Sequence, residues 1–146
     1  MRRSLIAAAG LLLAASAGAE VTAQDAWVRA TVPGQKSSGA FMQVTSTTDV
    51  TLVGARSPAA GVVEIHEMAM DDTMTMKMRA VKGIELPAGK AVALKPGGYH
   101  VMLMDLKDTV RVGQKLRLTL VVKDRKGELD DIDVEVPVKP LNAAIQ

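Results

Sequence analysis

Apolar and polar residues alternate along most of this sequence with a period of two, which restricts the chain to a β-rich fold. Turn residues such as Pro33-Gly34 and Pro96-Gly97-Gly98 interrupt the alternation repeatedly, and no segment carries a capped amphipathic pattern of helical length. The predicted strands are Val21–Arg29, Gly39–Ser46, Thr51–Arg56, Val62–Met70, Met74–Val81, Ala91–Leu94, His100–Leu106, Lys115–Val122 and Glu128–Val136. Short strands at this spacing predict an all-β, antiparallel Greek-key sandwich or barrel of the immunoglobulin or cupredoxin kind.

The first nineteen residues have the composition of an export signal. Two arginines precede an apolar run over residues 5–15, and the small-residue exit Ala17-Gly18-Ala19 follows. The run is too short to span a bilayer, and no later stretch approaches the roughly 20 residues of a transmembrane helix. We therefore expect a cleaved signal peptide over 1–19 and one soluble, monomeric periplasmic domain over 20–146, with a frayed tail over 140–146.

Charge and cysteine content exclude several classes of function. The 18 basic residues include Arg2 and Arg3, so removal of the signal would balance the 16 acidic ones. A domain near neutrality is a poor candidate for electrostatic binding of nucleic acid or anionic membrane. The sequence contains no cysteine, which excludes disulfides, thiolate ligands and nucleophiles, and acylation as a lipoprotein. No nucleophile–base–orienter set is visible either, so we do not expect an enzyme.

The histidines and most of the methionines are concentrated in two short stretches. His66 and His100 lie in different predicted strands, and at even-numbered positions around them stand Met68, Met70, Met74, Met76, Met78, Met102 and Met104. Because strand side chains alternate between faces, three strands each acquire a side that carries only histidine and methionine. Asp71-Asp72-Thr73 is predicted to close the first two strands into a hairpin, which brings their sulfur-bearing sides together.

Core packing is the usual role of methionine and tryptophan. We assign that role to Met42, which lies beside Phe41 in an apolar strand, and to Trp27, for which a cation–π cap over a metal is the alternative.

The clustered methionines fit a core badly. Val101 and Leu103 already form the core-facing set of their strand, which places His100 and Met102 on the outer side or at the rim. Several of these methionines could be metal ligands, a hydrophobic docking collar or plain packing, namely Met68, Met70, Met74, Met76 and Met104. The aspartates at 71, 72, 130, 131 and 133 are interpreted as solvated turn or strand-edge charges.

Imidazole together with thioether selects a soft ion of low valence. Zinc and iron favour more nitrogen, oxygen or thiolate, and calcium and magnesium need oxygen cages. Cu(I) is the best match, with Ag(I) as its mimic.

The segment from Glu64 to Met78, followed by Lys95–Met104, resembles the periplasmic PCuAC-type copper(I) chaperones. Their pattern is a histidine, eleven residues, a methionine, twenty-one residues and then His-x-Met, which His66, Met78, His100 and Met102 match. The resemblance extends to Asp25–Arg29, Pro33-Gly34, Ser38–Phe41 and the last two predicted strands, so it covers nearly all of the chain beyond the signal.

The resemblance implies a cupredoxin-like fold that binds Cu(I) through these four residues. It also implies copper delivery towards the CuA centre of cytochrome c oxidase subunit II, alongside a Sco-type protein. The sequence as far as Gln146 carries no His/Met-rich extension of the kind that adds copper sites in some family members, so we do not expect a second site of that kind. Two alternatives remain open, a periplasmic copper buffer or resistance protein and a metal-free Ig-like interaction module.

Overall fold

A computed structural model describes residues 20–142, which form strands and connecting turns without a helix. The strands are β1 (Val21–Arg29), β2 (Ser37–Ser46), β3 (Val50–Arg56), β4 (Ala60–Met70), β5 (Met76–Ala80), β6 (Ile84–Leu86), β7 (Val92–Leu94), β8 (His100–Leu106), β9 (Lys115–Lys123) and β10 (Leu129–Lys139). Within this range no helix is long and apolar enough to cross a membrane. The predicted signal peptide and residues 143–146 of the predicted tail lie outside the described residues. The tail residues 140–142 are exposed and follow the last strand.

The strands form two layers joined at one edge of each. The first layer has the order β5-β4-β8-β2-β1, with β7 also paired to β2, and the second has the order β10-β9-β3-β6. Neighbouring strands are mostly distant in sequence, as in Greek-key folds. Every pair is antiparallel except β1 with β10, which run parallel with Val28 opposite Val138. The all-β prediction is confirmed, and this parallel pair is the one departure from a purely antiparallel arrangement.

The buried side chains of both layers form one core cluster. Val101 and Leu103 of β8 face it from the first layer, and Leu118 and Leu120 of β9 face it from the second. Met42 belongs to the same cluster, which confirms its predicted role. Alternation then places His66 and Met68 of β4, and His100 and Met102 of β8, on the opposite, outer face of the first layer. Ala60 at the start of β4 and Leu106 at the end of β8 belong to the core cluster instead.

Between β4 and β7 the strands differ from the sequence prediction. β6 was missed, because three residues ending directly before Pro87 are too few to show alternation. The strand predicted from Met74 begins at Met76 instead, since Met74 lies in the turn with a φ of +66°. That left-handed conformation is rare for a residue with a side chain and ends the extended segment there.

The prediction that Trp27 lies in the core is wrong. β1 contains a bulge, where the register with β2 shifts between Gln24 and Trp27 and Asp25 adopts a φ of +54°. The extra residue reverses the alternation, so Val28 faces the core cluster and Trp27 is half-buried on the outer face.

Candidate metal centre

A row of rings crosses the outer face of the first layer at one level. His66 of β4 and His100 of β8 are directly opposed, and their ring centroids lie 5.9 Å apart. The ring of Phe41 in β2 lies 6.1 Å from that of His100, and the ring of Trp27 lies 4.7 Å from Phe41. The two histidines that the sequence singled out are therefore neighbours, with an aromatic pair beside them.

His100 lies on the predicted face, but it is buried there rather than placed on an open rim. Only 4% of its surface is exposed, because Phe41 and His66 flank its ring. Its Nδ1 lies 3.2 Å from the carbonyl oxygen of Gly98, an arrangement in which Nδ1–H donates. Its Nε2 is buried and has no hydrogen-bond partner among the described residues. Burial lowers the pKa of His100, with a smaller contribution from His66, although the bond to Gly98 opposes the change.

His66 has the complementary arrangement. Its Nε2 lies 2.8 Å from the Glu64 carboxylate, to which it donates, while its Nδ1 is buried and unpartnered within the described chain. Sequence reasoning missed Glu64, although its position two residues before His66 on the same strand face was a usable signal. Each imidazole thus has one hydrogen-bonded nitrogen and one buried nitrogen without a partner among the described residues.

A cavity of about 310 Å³ opens beside these rings. Three of the four predicted ligands line it, namely Met78, His100 and Met102, and Met68 lines it as well. His66 lies next to these cavity-lining residues, because its ring is beside that of His100. A cavity of this size, lined in part by three thioethers and one imidazole, has the dimensions of a small-ligand site.

Arg29 and Phe41 form the wall of the cavity on the β1–β2 side. The Arg29 guanidinium lies 5.5 Å from the centroid of the Phe41 ring and 5.7 Å from that of Trp27. Gly39, which is opposite Met102, leaves the room that the Phe41 ring occupies, because a Cβ there would lie 2.9 Å from Phe41 Cζ. Sequence reasoning missed Arg29 and did not anticipate this use of Gly39.

The hairpin of β4 and β5 carries the remaining thioethers. Met68 is directly opposite Met78, and Met70 is opposite Met76, so all four side chains share the face of His66. The predicted turn at residues 71–73 is confirmed by the hydrogen bonds of this segment. Met104 lies on the same face at the far end of β8, opposite Val62.

Asp71 organises that hairpin turn and is more than a solvated charge. Its carboxylate accepts hydrogen bonds from the backbone amides of Thr73 and Thr75, at 2.9 and 3.0 Å, and from the Thr73 hydroxyl at 2.6 Å. The bond from the Thr73 hydroxyl, followed by that from the Thr75 amide, lowers the pKa of Asp71 to about 2. A turn fixed in this way holds β4 and β5 in register.

The donors that converge on this face are imidazole nitrogen and thioether sulfur. Among residues 20–142, no group of three or more histidine, aspartate or glutamate side chains is placed to hold a metal ion. Thioether and imidazole donors match soft ions of low charge.

Comparison with known proteins places the chain in a family. Residues 21–138 match the family model described as "Putative lipoprotein LpqE-like". A putative lipoprotein of Leifsonia xyli subsp. xyli, Lxx21020, is 34% identical over 124 residues, which cover 85% of this chain and 72% of that protein. The word lipoprotein describes those proteins, whereas the present sequence contains no cysteine.

Solved structures share the fold. The copper-bound PCuAC domain from PmoF2 is 26% identical, with a TM-score of 0.61 over 82% of this chain and 93% of that domain. The Cu(I)-bound solution structure of DR1885 from Deinococcus radiodurans is 29% identical, with a TM-score of 0.57 over 88% of this chain and 85% of that one. The cupredoxin-like fold prediction is confirmed, and the match over residues 21–138 shows that the chain belongs to the LpqE-like family.

Proposed function

We propose that this protein is an exported Cu(I) carrier that binds one ion through His66, Met78, His100 and Met102 and passes it on by ligand exchange. It performs no chemical conversion of its own. The ion is cargo that enters and leaves the cavity on the outer face of the first layer.

Two imidazole nitrogens that lack a hydrogen-bond partner within the described part of the chain carry this proposal. Buried polar atoms in folded proteins nearly always have a hydrogen-bond partner. Two buried nitrogens without one, on adjacent strands, therefore indicate that a ligand binds them. The His100 Nε2 and the His66 Nδ1 are those atoms, and a single ion between the rings would satisfy both. The hydrogen bonds to Gly98 and Glu64 hold each ring in the tautomer that leaves this nitrogen free.

The thioethers of Met78 and Met102 suit a site that must also release its ion. Both line the cavity next to His100. A thioether is neutral and does not titrate, so an incoming ligand can replace it without any proton transfer. About half of Met78 is exposed, which makes it the ligand that an acceptor reaches first.

The relatives support the same reading. Two structures of similar fold are copper-bound, one of them with Cu(I). The four-residue spacing in the sequence resembles the pattern of PCuAC-type chaperones, which implies the CuA centre of cytochrome c oxidase as acceptor, together with a Sco-type partner. We extend both points to this chain as part of the proposal.

An anaerobic titration against a colorimetric Cu(I) chelator tests binding. We expect one tight equivalent that weakens in both His66→Ala and Met102→Ala. Met104→Leu is the matched control, because it changes a methionine on the same face at the far end of β8. Absence of competitive binding, or unchanged affinity in both variants, would contradict the proposal.

Deletion of the gene separates delivery from buffering. Loss of oxidase activity that added copper restores is the result expected for delivery. Sensitivity to copper with normal oxidase activity would overturn delivery and identify a buffer instead.

A further inference from the structure

Three methionines at the end of the β4–β5 hairpin are unusually exposed. Met70, Met74 and Met76 are 58%, 77% and 48% exposed, respectively. Exposed apolar side chains gathered in one place mark an interaction site more often than scattered ones do. We call these three residues the methionine tip.

The two faces of this hairpin differ in chemistry. On one face Glu67 pairs with Arg79, whose Nε donates to the carboxylate at 2.6 Å, and Lys77 lies 3.2 Å from Asp71. The other face carries the methionines of both strands. The thioethers are therefore concentrated on the side that continues into the cavity, while the charges occupy the side that faces away from it.

The hairpin backbone fixes the positions of the three tip residues relative to one another. Met70 and Met76 are directly opposed across the strand pair, which places their Cβ atoms roughly 4.5–5.5 Å apart. Met74 lies in the connecting turn, and its amide donates to the Asp71 carbonyl at 3.1 Å. The Asp71 carboxylate fixes the same turn through Thr73 and Thr75.

We propose that the methionine tip is a second, thioether-only site for a soft monovalent ion, through which Cu(I) enters and leaves the histidine site. This inference rests on the proposed Cu(I) function, because it assigns the tip to the route of the same ion. Thioethers select Cu(I) or Ag(I) over harder ions, and a site without imidazole binds more weakly than one with it.

The pairing of β4 with β5 places methionines in succession between the tip and the histidine site. The opposed pair Met70 and Met76 is followed on the same face by the pair Met68 and Met78, and then by His66. Met68 and Met78 both line the cavity that contains His100 and Met102. A Cu(I) ion moves from one methionine pair to the next by forming one Cu–S bond as another breaks, with no change of oxidation state and no proton transfer.

Methionine-methyl NMR of the full chain with Ag(I) as probe tests the inference. We expect the first equivalent of Ag(I) to shift the methyls of Met78 and Met102. A second equivalent, at least tenfold weaker, should shift those of Met70, Met74 and Met76. The triple variant M70L/M74L/M76L keeps side-chain volume and should lose only the second equivalent. Met104→Leu is the control and should retain both.

The possible failures can be told apart. If the first equivalent binds and the tip methyls do not move, or if the triple variant still takes two equivalents, the second site is wrong and the tip is an apolar docking face. If no equivalent binds at all, the proposed Cu(I) function fails together with this inference.

Discussion

His66 and His100 are directly opposed on β4 and β8, with their ring centroids 5.9 Å apart, and each ring has one buried nitrogen without a hydrogen-bond partner in residues 20–142. The pairing depends on strands that are not consecutive in the chain, because β5, β6 and β7 intervene. The site therefore exists only once the first layer has assembled.

Loss of the His100 imidazole should weaken Cu(I) binding strongly. We expect His100→Ala to reduce affinity by on the order of 100-fold, about 2.7 kcal/mol, because it removes a preformed donor. Chelator competition under anaerobic conditions measures the loss. Met42→Leu, a core substitution of similar volume, is the control and should leave affinity unchanged.

Glu64→Gln should weaken Cu(I) binding about tenfold, at the lower end of what outer partners of metal-bound histidines contribute. The carboxylate accepts from His66 Nε2 at 2.8 Å, which orients the ring and makes its other nitrogen more basic. Glu67→Gln is the matched control, since Glu67 lies on the opposite face and pairs with Arg79. Equal affinities of the two variants would show that Glu64 does not position His66.

Asp71→Asn should remove a pH-dependent part of the stability of the fold. The pKa of Asp71 is lowered from 3.8 to about 2, so the unfolded chain takes up the proton first as the pH falls. The stabilisation is therefore complete above about pH 4 and is lost as the pH drops through 2. Urea unfolding of both proteins at pH 6 and pH 2.5 should show a difference that shrinks in acid. Asp72→Asn is the control, because Asp72 makes none of the hydrogen bonds described for Asp71.

Phe41→Ala should destabilise the fold by about 3–5 kcal/mol, as is usual for a buried phenylalanine. Phe41 is buried between Trp27 and His100 on the outer face. Urea unfolding measures the change, and the exposed Tyr99→Ala should stay within about 0.5 kcal/mol of the parent. A small effect at Phe41 would mean that the outer face contributes little to stability.

The sequence predicted nearly all of the strands and the shared face of the methionines, because both follow from alternation alone. It could not predict the orientation of Trp27. A one-residue bulge at Asp25 reverses the alternation, and nothing in the local sequence marks that insertion.

The burial of His100 was also beyond prediction. It depends on Phe41, which lies far from His100 in sequence and reaches it only through the pairing of β2 with β8. Three members of the predicted ligand set line one cavity, and the fourth, His66, lies beside it. That these four residues bind the ion together stays a prediction.

The parallel pairing of β1 with β10 makes the hydrogen-bonded link between the two layers depend on the last strand. β10 is hydrogen-bonded to β1 on one side and to β9 on the other. A chain that stopped before Leu129 would leave β1 and β9 with unpaired edges at the same time. Such edges are templates for pairing with other chains, so incomplete synthesis or proteolytic loss of this strand would make the remaining chain prone to aggregation.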